Sequence, residues 1–214
     1  MMDIKCISVN ILQENCYIVS DETRECVIID CGAYYEAERK AIVDYLRNEG
    51  LSPRHLLCTH GHMDHVFGAD TIFEAFGLKP EIHREDEELL LSMDQQTRDM
   101  MGVGYDRPMP AVGRYLEDGD TVNFGSHELQ VIHTPGHSPG GVVFYCEAER
   151  VVFTGDTLFR MSVGRTDLHR GSWPQLMESL AKRLAPLPAD TIVYPGHGPA
   201  SNIGDEVRMN PFFR

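Results

Sequence analysis

Three histidines and one aspartate occur within six residues of one another, in the segment His60-Gly61-His62-Met63-Asp64-His65. Imidazole and carboxylate groups are the ligands that zinc and other borderline divalent metals prefer. Four such groups at this density would repel one another and bury poorly unless a cation lay among them. The segment therefore predicts a metal-binding loop.

Three further candidate ligands lie at turns, each directly after a β-like run: His137, Asp156 and His197. Together with the four in the first cluster they make seven, which is more than one tetrahedral ion can use. Because binding sites gather where the strands of an α/β sheet end, this placement suits chemistry. The pattern predicts a hydrolase with two divalent metal ions.

The bulk composition limits the class of protein. A length of 214 residues allows one domain with a full core, and the formal net charge of −14 argues against nucleic acid as a partner. No stretch approaches the ~20 apolar residues of a membrane span, and the start lacks the features of a signal peptide. The six cysteines have no C-x-x-C spacing. We expect reduced thiols in a cytoplasmic protein, with Cys58 as an alternative metal ligand.

Strand and helix patterns follow the same order in both halves of the chain. In the first half, strands at 5–11, 15–19 and 26–29 precede a helix at 36–48, and a strand at 54–58 ends at the histidine cluster. The second half has strands at 120–124, 127–132, 141–146 and 151–153, a helix at 174–184 and a last strand at 191–194.

The middle of the chain is less regular. Helices are predicted at 66–76 and 84–93, around a short strand at 80–83. Residues 94–112 show no convincing period and predict a long loop, of a length that is usually functional or disordered. Two interpretations remain open for this loop, namely a flap over the metal site and a mobile surface excursion.

The chain resembles the metallo-β-lactamase superfamily over nearly all of its length. The resemblance rests on five elements in the same order, which are Asp30 at the end of a strand, the 60–65 cluster, His137, Asp156 and His197. It implies an α/β fold, the four-layer αββα sandwich, in which two mixed β-sheets are flanked by helices. A single domain over residues 1–214 is expected.

Within the superfamily the chain looks most like the glyoxalase II group, the hydroxyacylglutathione hydrolases, and especially their short single-domain bacterial relatives. The segments that carry this likeness are 59–65, 155–159, 164–167, 195–199 and 210–212. Those enzymes continue into a helical C-terminal domain that supplies part of the glutathione site. Here residues 198–214 alone follow His197, so we expect no such domain and leave open whether glutathione is accepted.

The resemblance implies a ligand set for two divalent ions, expected to be zinc, with iron and manganese as alternatives. The first ion would be held by His60, His62 and His137. The second would be held by Asp64, His65 and His197, with Asp156 bridging the pair. Asp30 is expected to orient an imidazole by a hydrogen bond instead of binding metal. The residues expected to take part in catalysis are Asp64, His62 and Asp156.

Arg165 falls where the family places a basic residue that holds the glycine carboxylate of the substrate. Arg160 and Arg170 recur at five-residue spacing along the same segment. Three guanidinium groups in so acidic a protein suggest an anion pocket. We interpret Arg165 as a substrate-binding residue, and Arg160 and Arg170 as solvated surface charges.

The chemistry expected of such a site is thioester hydrolysis. Two metals roughly 3.5–4 Å apart can bridge a water and lower its pKa, so that a bridging hydroxide attacks a carbonyl such as that of S-D-lactoylglutathione. A thiol, with a pKa of about 8.5, can depart without a strong general acid, whereas an amine cannot. The expected partner is a small-molecule thioester, with neither nucleic acid nor a membrane. A monomer or homodimer is expected.

Other hypotheses for the function stay open. Persulfide dioxygenases carry the same Gly-Arg-Thr-Asp run and use a single iron, which His60, His137 and Asp156 would hold here. An RNA-processing nuclease and a lactonase are further members of the same superfamily. A structural metal site without enzymatic activity is the remaining alternative, although such sites are usually closed by four ligands.

Overall fold

The computed structural model describes residues 1–213, which form two six-stranded sheets. The first sheet consists of β1 (Asp3–Val9), β2 (Glu14–Ser20), β3 (Glu25–Ile29), β4 (Ser52–Leu57), β5 (Pro80–His83) and β6 (Arg114–Leu116). These strands neighbour one another in chain order. The pairs from β1 to β3 are antiparallel and those from β3 to β6 are parallel, so the sheet is mixed.

The second sheet is built from the C-terminal half. Its strands are β7 (Thr121–Phe124), β8 (His127–His133), β9 (Val142–Cys146), β10 (Val151–Gly155), β13 (Ile192–Pro195) and β14 (Ser201–Asn202), and a separate hairpin is formed by β11 (Leu158–Phe159) and β12 (Ser162–Val163). The spatial order is β14-β13-β10-β9-β8-β7. Within the described part of this sheet, β10 and β13 are parallel and the other neighbouring pairs are antiparallel.

Seven α-helices occur in the described residues. They are α1 (Glu36–Asn48), α2 (Met63–Val66), α3 (Ala69–Phe76), α4 (Glu87–Leu91), α5 (Met93–Met101), α6 (Trp173–Ser179) and α7 (Ile203–Met209). A π-helical stretch at Leu180–Leu184 continues α6, and 3-10 turns lie at Arg84–Asp86 and Pro211–Phe213. Over residues 1–213, none of the helices has the length and apolar character needed to span a membrane.

Side chains of β2 alternate between two apolar layers, as the period of a strand requires. Tyr17 and Val19 point into the core between the two sheets, where they share a buried cluster with Phe144 of the second sheet. Ile18 points to the other side and shares a cluster with Ile42 of α1. The first sheet is therefore covered by the second sheet on one face and by helices on the other.

The outer face of the second sheet is covered in the same way. Val152 and Val193 share a buried cluster with Leu180 and Leu184, which follow α6, and with Ile203 of α7. The layer order is helix, sheet, sheet, helix. This confirms the predicted fold class, an αββα sandwich with two mixed sheets.

The prediction that residues 94–112 lack regular structure is wrong for their first part, since 94–101 belong to α5. Met93 and Thr97, one helical turn apart, form the buried face of this helix. Thr97 donates its hydroxyl to the Met93 carbonyl at 2.7 Å, so a threonine can lie on the buried face. Because one of the two buried positions is polar, the apolar period of the helix was hidden.

The single helix predicted at 66–76 is also corrected, because α2 ends at Val66 and α3 begins at Ala69. Gly68 lies at this break. A Cβ built on it would lie 2.6 Å from Sγ of Cys31, so only glycine fits so close to the end of β3. The break lets α2 carry ligand residues at the strand end while α3 packs on the sheet.

Candidate metal centre

The loops at the ends of four strands meet at one edge of the sandwich. The structure brings together all seven predicted ligands at this edge: His60 and His62 after β4, Asp64 and His65 in α2, His137 after β8, Asp156 after β10, and His197 after β13. Strands β4 and β10 each have a parallel neighbour, β3 and β13, whose carboxyl ends reach the same edge. We call this cluster of seven side chains the metal centre.

Two groups of ligand atoms can be distinguished within the metal centre. In each group, the nitrogen or oxygen atoms lie within 4.8 Å of one another, and the groups are His60, His62, His137 and Asp64, His65, His197. Asp156 lies between them, with Oδ1 3.3 Å from Nε2 of His65 and Oδ2 3.5 Å from Nε2 of His137. The two groups have the same members as the two predicted ligand sets. The binding of metal by these residues, and the bridge by Asp156, stay predictions.

Three of the imidazoles are oriented by hydrogen bonds on their outer side. Each is paired through Nδ1 with an oxygen acceptor: Asp30 Oδ2 for His65 at 2.9 Å, the carbonyl of Arg165 for His137 at 2.7 Å, and the carbonyl of Leu12 for His197 at 3.0 Å. A neutral imidazole that donates from Nδ1 carries its lone pair on Nε2. These contacts therefore direct three lone pairs into the metal centre.

The orientation of His60 depends on Thr59. The Thr59 hydroxyl donates to Oδ2 of Asp30 at 2.7 Å, so its oxygen is left to accept from Nδ1 of His60 at 3.0 Å. The Nε2 atom of His60 is buried and has no hydrogen-bond partner, and the same holds for Nε2 of His65 and Oδ1 of Asp156. Buried polar atoms without a partner are rare. Divalent ions would satisfy these three atoms, so the residues fit a metal site.

His62 faces the other ligands with Nδ1 instead of Nε2. Its Nδ1 lies 2.8 Å from Nε2 of His137, whose own Nδ1 is occupied by the Arg165 carbonyl. Two imidazole nitrogens this close, together with the unpartnered Nε2 of His60, converge on one point. This is the arrangement of three nitrogen ligands around an ion.

Asp30 occupies a strained backbone position to reach these partners. Its φ of 51° lies in the left-handed region, which costs a residue other than glycine of order 1–3 kcal/mol. In return its carboxylate accepts from the backbone N–H of Thr59 at 2.7 Å, from the Thr59 hydroxyl and from His65. The carboxylate is thus used by three donors, although its oxygen also forms a third possible ligand group with His60 and His65. The orienting role of Asp30 stays a prediction.

The pKa values of His60 and His62 are shifted in the opposite direction to that of His65. Burial, together with the neighbouring His137, lowers the pKa of His62 to about 3, and burial with the other histidines lowers the pKa of His60 well below 6.5. Burial also opposes the charge on His65, but Asp156, Asp64 and Asp30 outweigh it and raise its pKa. Without metal, the negative charge of Asp156, Asp64 and Asp30 therefore favours a proton on His65. A bound metal ion would supply positive charge in place of that proton.

Asp86 was missed as a supporting residue, because it lies in a run that the sequence predicts to be a charged helix. Its carboxylate is fully buried and accepts from the backbone N–H groups of Gly61 at 3.0 Å and Gly140 at 2.5 Å. It thereby joins the loop after β4 to the loop after β8. A Cβ on Gly140 would lie 2.7 Å from Oδ1 of Asp86, which explains the glycine there.

Glu14 and Asn15 were also missed, since both read as ordinary residues at the start of a strand. The Glu14 side chain is fully buried, with Oε1 4.0 Å from Nδ1 of His65, and burial raises its pKa well above the usual range. The Asn15 amide donates to the carbonyls of Pro195 and Gly198, at 3.0 and 2.9 Å. The start of β2 thus supports the loop that presents His197.

The predicted substrate residue, Arg165, lies beside the metal centre with an exposed side chain. Its guanidinium donates to both carboxylate oxygens of Asp167, at 2.6 and 2.8 Å. Arg170 forms an ion pair with Glu85, and Arg160 is exposed. These positions agree with surface charges for Arg160 and Arg170, while the role of Arg165 stays a prediction.

Cys58, the alternative ligand, is not among the described groups that could hold a metal ion. Its side chain is buried in an apolar cluster with Met63 and Phe67. Burial also raises the pKa of its thiol well above 9, which disfavours the thiolate that metals bind.

Comparisons with known proteins agree with this site and fold. A sequence model of the metallo-beta-lactamase superfamily matches residues 9–197, which include all seven predicted ligands. The hydroxyacylglutathione hydrolase GloC of Haemophilus influenzae is 34% identical over 217 residues, covering 99% of this chain and 98% of that protein.

Two solved structures have nearly the same fold. The BLEG-1 B3 metallo-beta-lactamase superposes with a TM-score of 0.90 at 34% identity, covering 100% of this chain and 99% of that one. The protein TTHA1623, solved in a di-iron-bound form, superposes with a TM-score of 0.85 at 41% identity, covering 97% and 99%. The resemblance predicted from the motifs is confirmed, and the chain belongs to the metallo-beta-lactamase superfamily.

Proposed function

We propose that this protein is a metal-dependent hydrolase that cleaves thioesters, in the manner of glyoxalase II. The observation that carries the proposal is the convergence of seven ligand side chains with unpartnered buried atoms at Nε2 of His60, Nε2 of His65 and Oδ1 of Asp156. The full-length similarity to a hydroxyacylglutathione hydrolase supports the thioester as the substrate class.

Two divalent ions held at the metal centre would lower the pKa of a water towards neutrality and polarise a carbonyl oxygen. Zinc is proposed, and iron is compatible with the same ligands. We infer that Asp64 orients that water, because its Oδ2 lies among the ligand atoms, 3.2 Å from Nε2 of His197. Burial disfavours the charge on Asp64, but His65 outweighs it and lowers its pKa, so the carboxylate stays ionised and can accept a proton.

Near pH 7 the other ligand candidates favour the forms that bind metal, an ionised Asp156 and a neutral His62. The Asp156 side chain is 12% exposed and lies among the imidazoles. Burial opposes its charge, but His65 and the other imidazoles outweigh this effect and keep its pKa below the usual range. His62, with its pKa of about 3, stays neutral near pH 7 and keeps a lone pair for binding. Asp30 and Asp86 are engaged by hydrogen bonds to the ligand loops, which leaves neither as a free proton donor.

This lack of a spare acid favours a good leaving group. An amine must be protonated as it departs, whereas a thiol with a pKa of about 8.5 can leave as the thiolate. Among the described residues near the ligand atoms, Asp64 and Asp156 are ligand candidates and Asp30 orients a ligand. The buried Glu14 faces Nδ1 of His65, the nitrogen that is hydrogen-bonded to Asp30, and not Nε2, which faces the other ligands. Thioester cleavage therefore suits the site better than amide cleavage.

The test is hydrolysis of S-D-lactoylglutathione by protein of measured metal content. We expect turnover that is lost on chelation and restored by Zn²⁺, and that is abolished together with metal binding in Asp156→Ala. Asp190→Ala, at an exposed position, is the matched control.

Absence of turnover on any thioester by the fully metallated protein would contradict the proposal. In that case oxygen consumption with glutathione persulfide by the iron-loaded protein would favour the persulfide dioxygenase alternative.

A further inference from the structure

A small groove lies directly beside the metal centre, and His62 is one of its lining residues. It has a volume of about 140 Å³ and lies between α5 and the segment 165–170. Its walls include three apolar side chains: Leu89, Met100 and Leu168. We call it the apolar groove.

One polar side chain in the lining of the apolar groove, Gln96, is hydrogen-bonded to the protein itself. The Gln96 amide donates to the carbonyls of Leu89 and Gly61, at 2.7 and 3.1 Å, and its oxygen accepts from the N–H of Met63 at 3.2 Å. Both of its N–H groups are used, so Gln96 offers no donor to a bound molecule. Gln96 therefore lines the groove and holds the loop that carries His62.

The charge around the apolar groove is negative. Asp99 is the carboxylate in its lining, and Glu88 lies 4.0 Å from Nε2 of His169. Within residues 1–213, no lysine or arginine belongs to the lining. The nearby guanidinium of Arg170 is paired with Glu85. A carboxylate placed in the groove would therefore lose hydration without gaining a cation.

We propose that the apolar groove receives an uncharged, apolar substituent of the thioester, from its acyl side or its thiol side. The inference rests on the proposed thioesterase function and names the substrate class of that site. Since a water takes up about 30 Å³, a volume of about 140 Å³ holds roughly four to five heavy atoms. The preferred substituent is thus a short alkyl chain, and carboxylates of a carrier such as glutathione are left outside the groove.

The experiment is a substrate series on the metal-loaded protein. In one arm the acyl group grows from acetyl to hexanoyl on the neutral thiol N-acetylcysteamine, and in the other an alkyl thiol grows in the same steps on a fixed acetyl group. We expect kcat/KM to rise by about fourfold per buried methylene in one arm, up to roughly four to five carbons, and to stay flat in the other. The arm that rises identifies the side of the thioester that occupies the groove.

Two variants tie the effect to the groove. Met100 is 48% exposed, so Met100→Gln should fold normally, and it should flatten the rising arm, so that kcat/KM no longer increases with chain length. Met209→Gln, at a 41% exposed position on α7, is the matched control and should keep the full chain-length dependence. Leu168→Gln provides a second, independent change to the groove wall.

A charge comparison completes the test. For a thioester whose substituent ends in a carboxylate, kcat/KM should be at least about tenfold lower than for the thioester with a neutral substituent of equal length. The Asp99→Asn substitution should reduce this difference in kcat/KM.

The outcomes separate the two proposals. Thioester hydrolysis with two flat arms, or with Met100→Gln indistinguishable from wild type, would overturn the apolar groove and leave the thioesterase intact. Failure to hydrolyse every thioester would overturn the proposed function, and this inference with it.

Discussion

Nδ1 of His65 lies 2.9 Å from Oδ2 of Asp30, whose carboxylate also receives both donors of Thr59. One strained aspartate thus orients His65 directly and His60 through the threonine hydroxyl. Because both rings donate outward, their Nε2 lone pairs point at the same cluster. The metal centre is therefore shaped by residues that are not themselves expected to bind metal.

Asp30→Asn tests this orienting role. The amide supplies an N–H₂ group where a carboxylate oxygen accepted two hydrogen bonds, so the rings lose their fixed direction. We expect metal affinity to fall by about 10–100-fold, measured by competition with a chelator of known affinity. Asp190→Asn, exposed and paired with Arg150, is the control. Unchanged affinity in Asp30→Asn would show that the hydrogen bond to His65 does not organise the site.

Asp86→Ala tests the connection between the two ligand loops. Removal of the carboxylate leaves the buried N–H groups of Gly61 and Gly140 without acceptors, at about 1–3 kcal/mol each. We expect the metal-free protein to lose free energy of unfolding of this order, and the metal-loaded protein to release metal faster. The measurements are denaturant unfolding and metal exchange, with exposed Asp106→Ala as the control. If only unfolding changed, Asp86 would be structural and not a positioning residue.

Arg165→Ala separates the backbone of this residue from its side chain. The Arg165 carbonyl, which accepts from His137, is retained, so metal content should not change. If the guanidinium holds a substrate carboxylate, KM for S-D-lactoylglutathione should rise more than kcat falls, while KM for a neutral thioester stays constant. Steady-state kinetics on both substrates measure this, and an unchanged KM for the anionic substrate would refute the anchoring role.

A histidine far from the metal centre predicts a pH dependence of stability. Burial opposes protonation of His127, but hydrogen bonds to Glu149 and Asp21 outweigh it and raise its pKa above 6.5. Burial likewise opposes the charge on Asp21, and hydrogen bonds from Thr23 and Ser126 outweigh it and lower its pKa. His127 therefore makes its full contribution to the free energy of unfolding below the pKa that it has in the unfolded protein. This contribution is lost as the pH rises through the pKa that it has in the folded protein. That of Asp21 is lost as the pH falls below about 3.8.

His127→Gln should consequently lower the free energy of unfolding more at about pH 5.5 than at about pH 9, because at the higher pH the histidine is neutral in both the folded and the unfolded protein. Denaturant unfolding of the metal-free variant and wild type at the two pH values measures the difference. An equal loss at both pH values would mean that the charge of His127 does not stabilise the fold.

The sequence predicted the ligand types because chemistry restricts them: the cluster at 60–65, His137, Asp156 and His197 stand at the ends of recognisable strands. The αββα fold followed from the resemblance that these motifs carry. Other supporting residues could not be found in this way. Asp86 acts through two backbone amides that are distant in the chain, and Thr59 acts through a hydroxyl that most threonines turn to solvent or backbone. Such roles depend on tertiary contacts, which leave no local pattern.

The same reason explains the error at 94–112. The buried face of α5 contains only Met93 and Thr97, so the helix has too few apolar positions to show its period. Its stability comes from packing and from contacts such as the Gln96 amide on the Gly61 carbonyl. The groove beside His62 exists because this helix is present.

The two-metal mechanism can be tested by titrating metal-free protein with Zn²⁺, and in parallel with Fe²⁺, while thioester hydrolysis is followed. This mechanism predicts no activity without metal and maximal activity at two ions per chain, because the ligand atoms form two groups with Asp156 between them. Thioester hydrolysis by the metal-free protein would contradict it, and so would full activity with a single ion per chain.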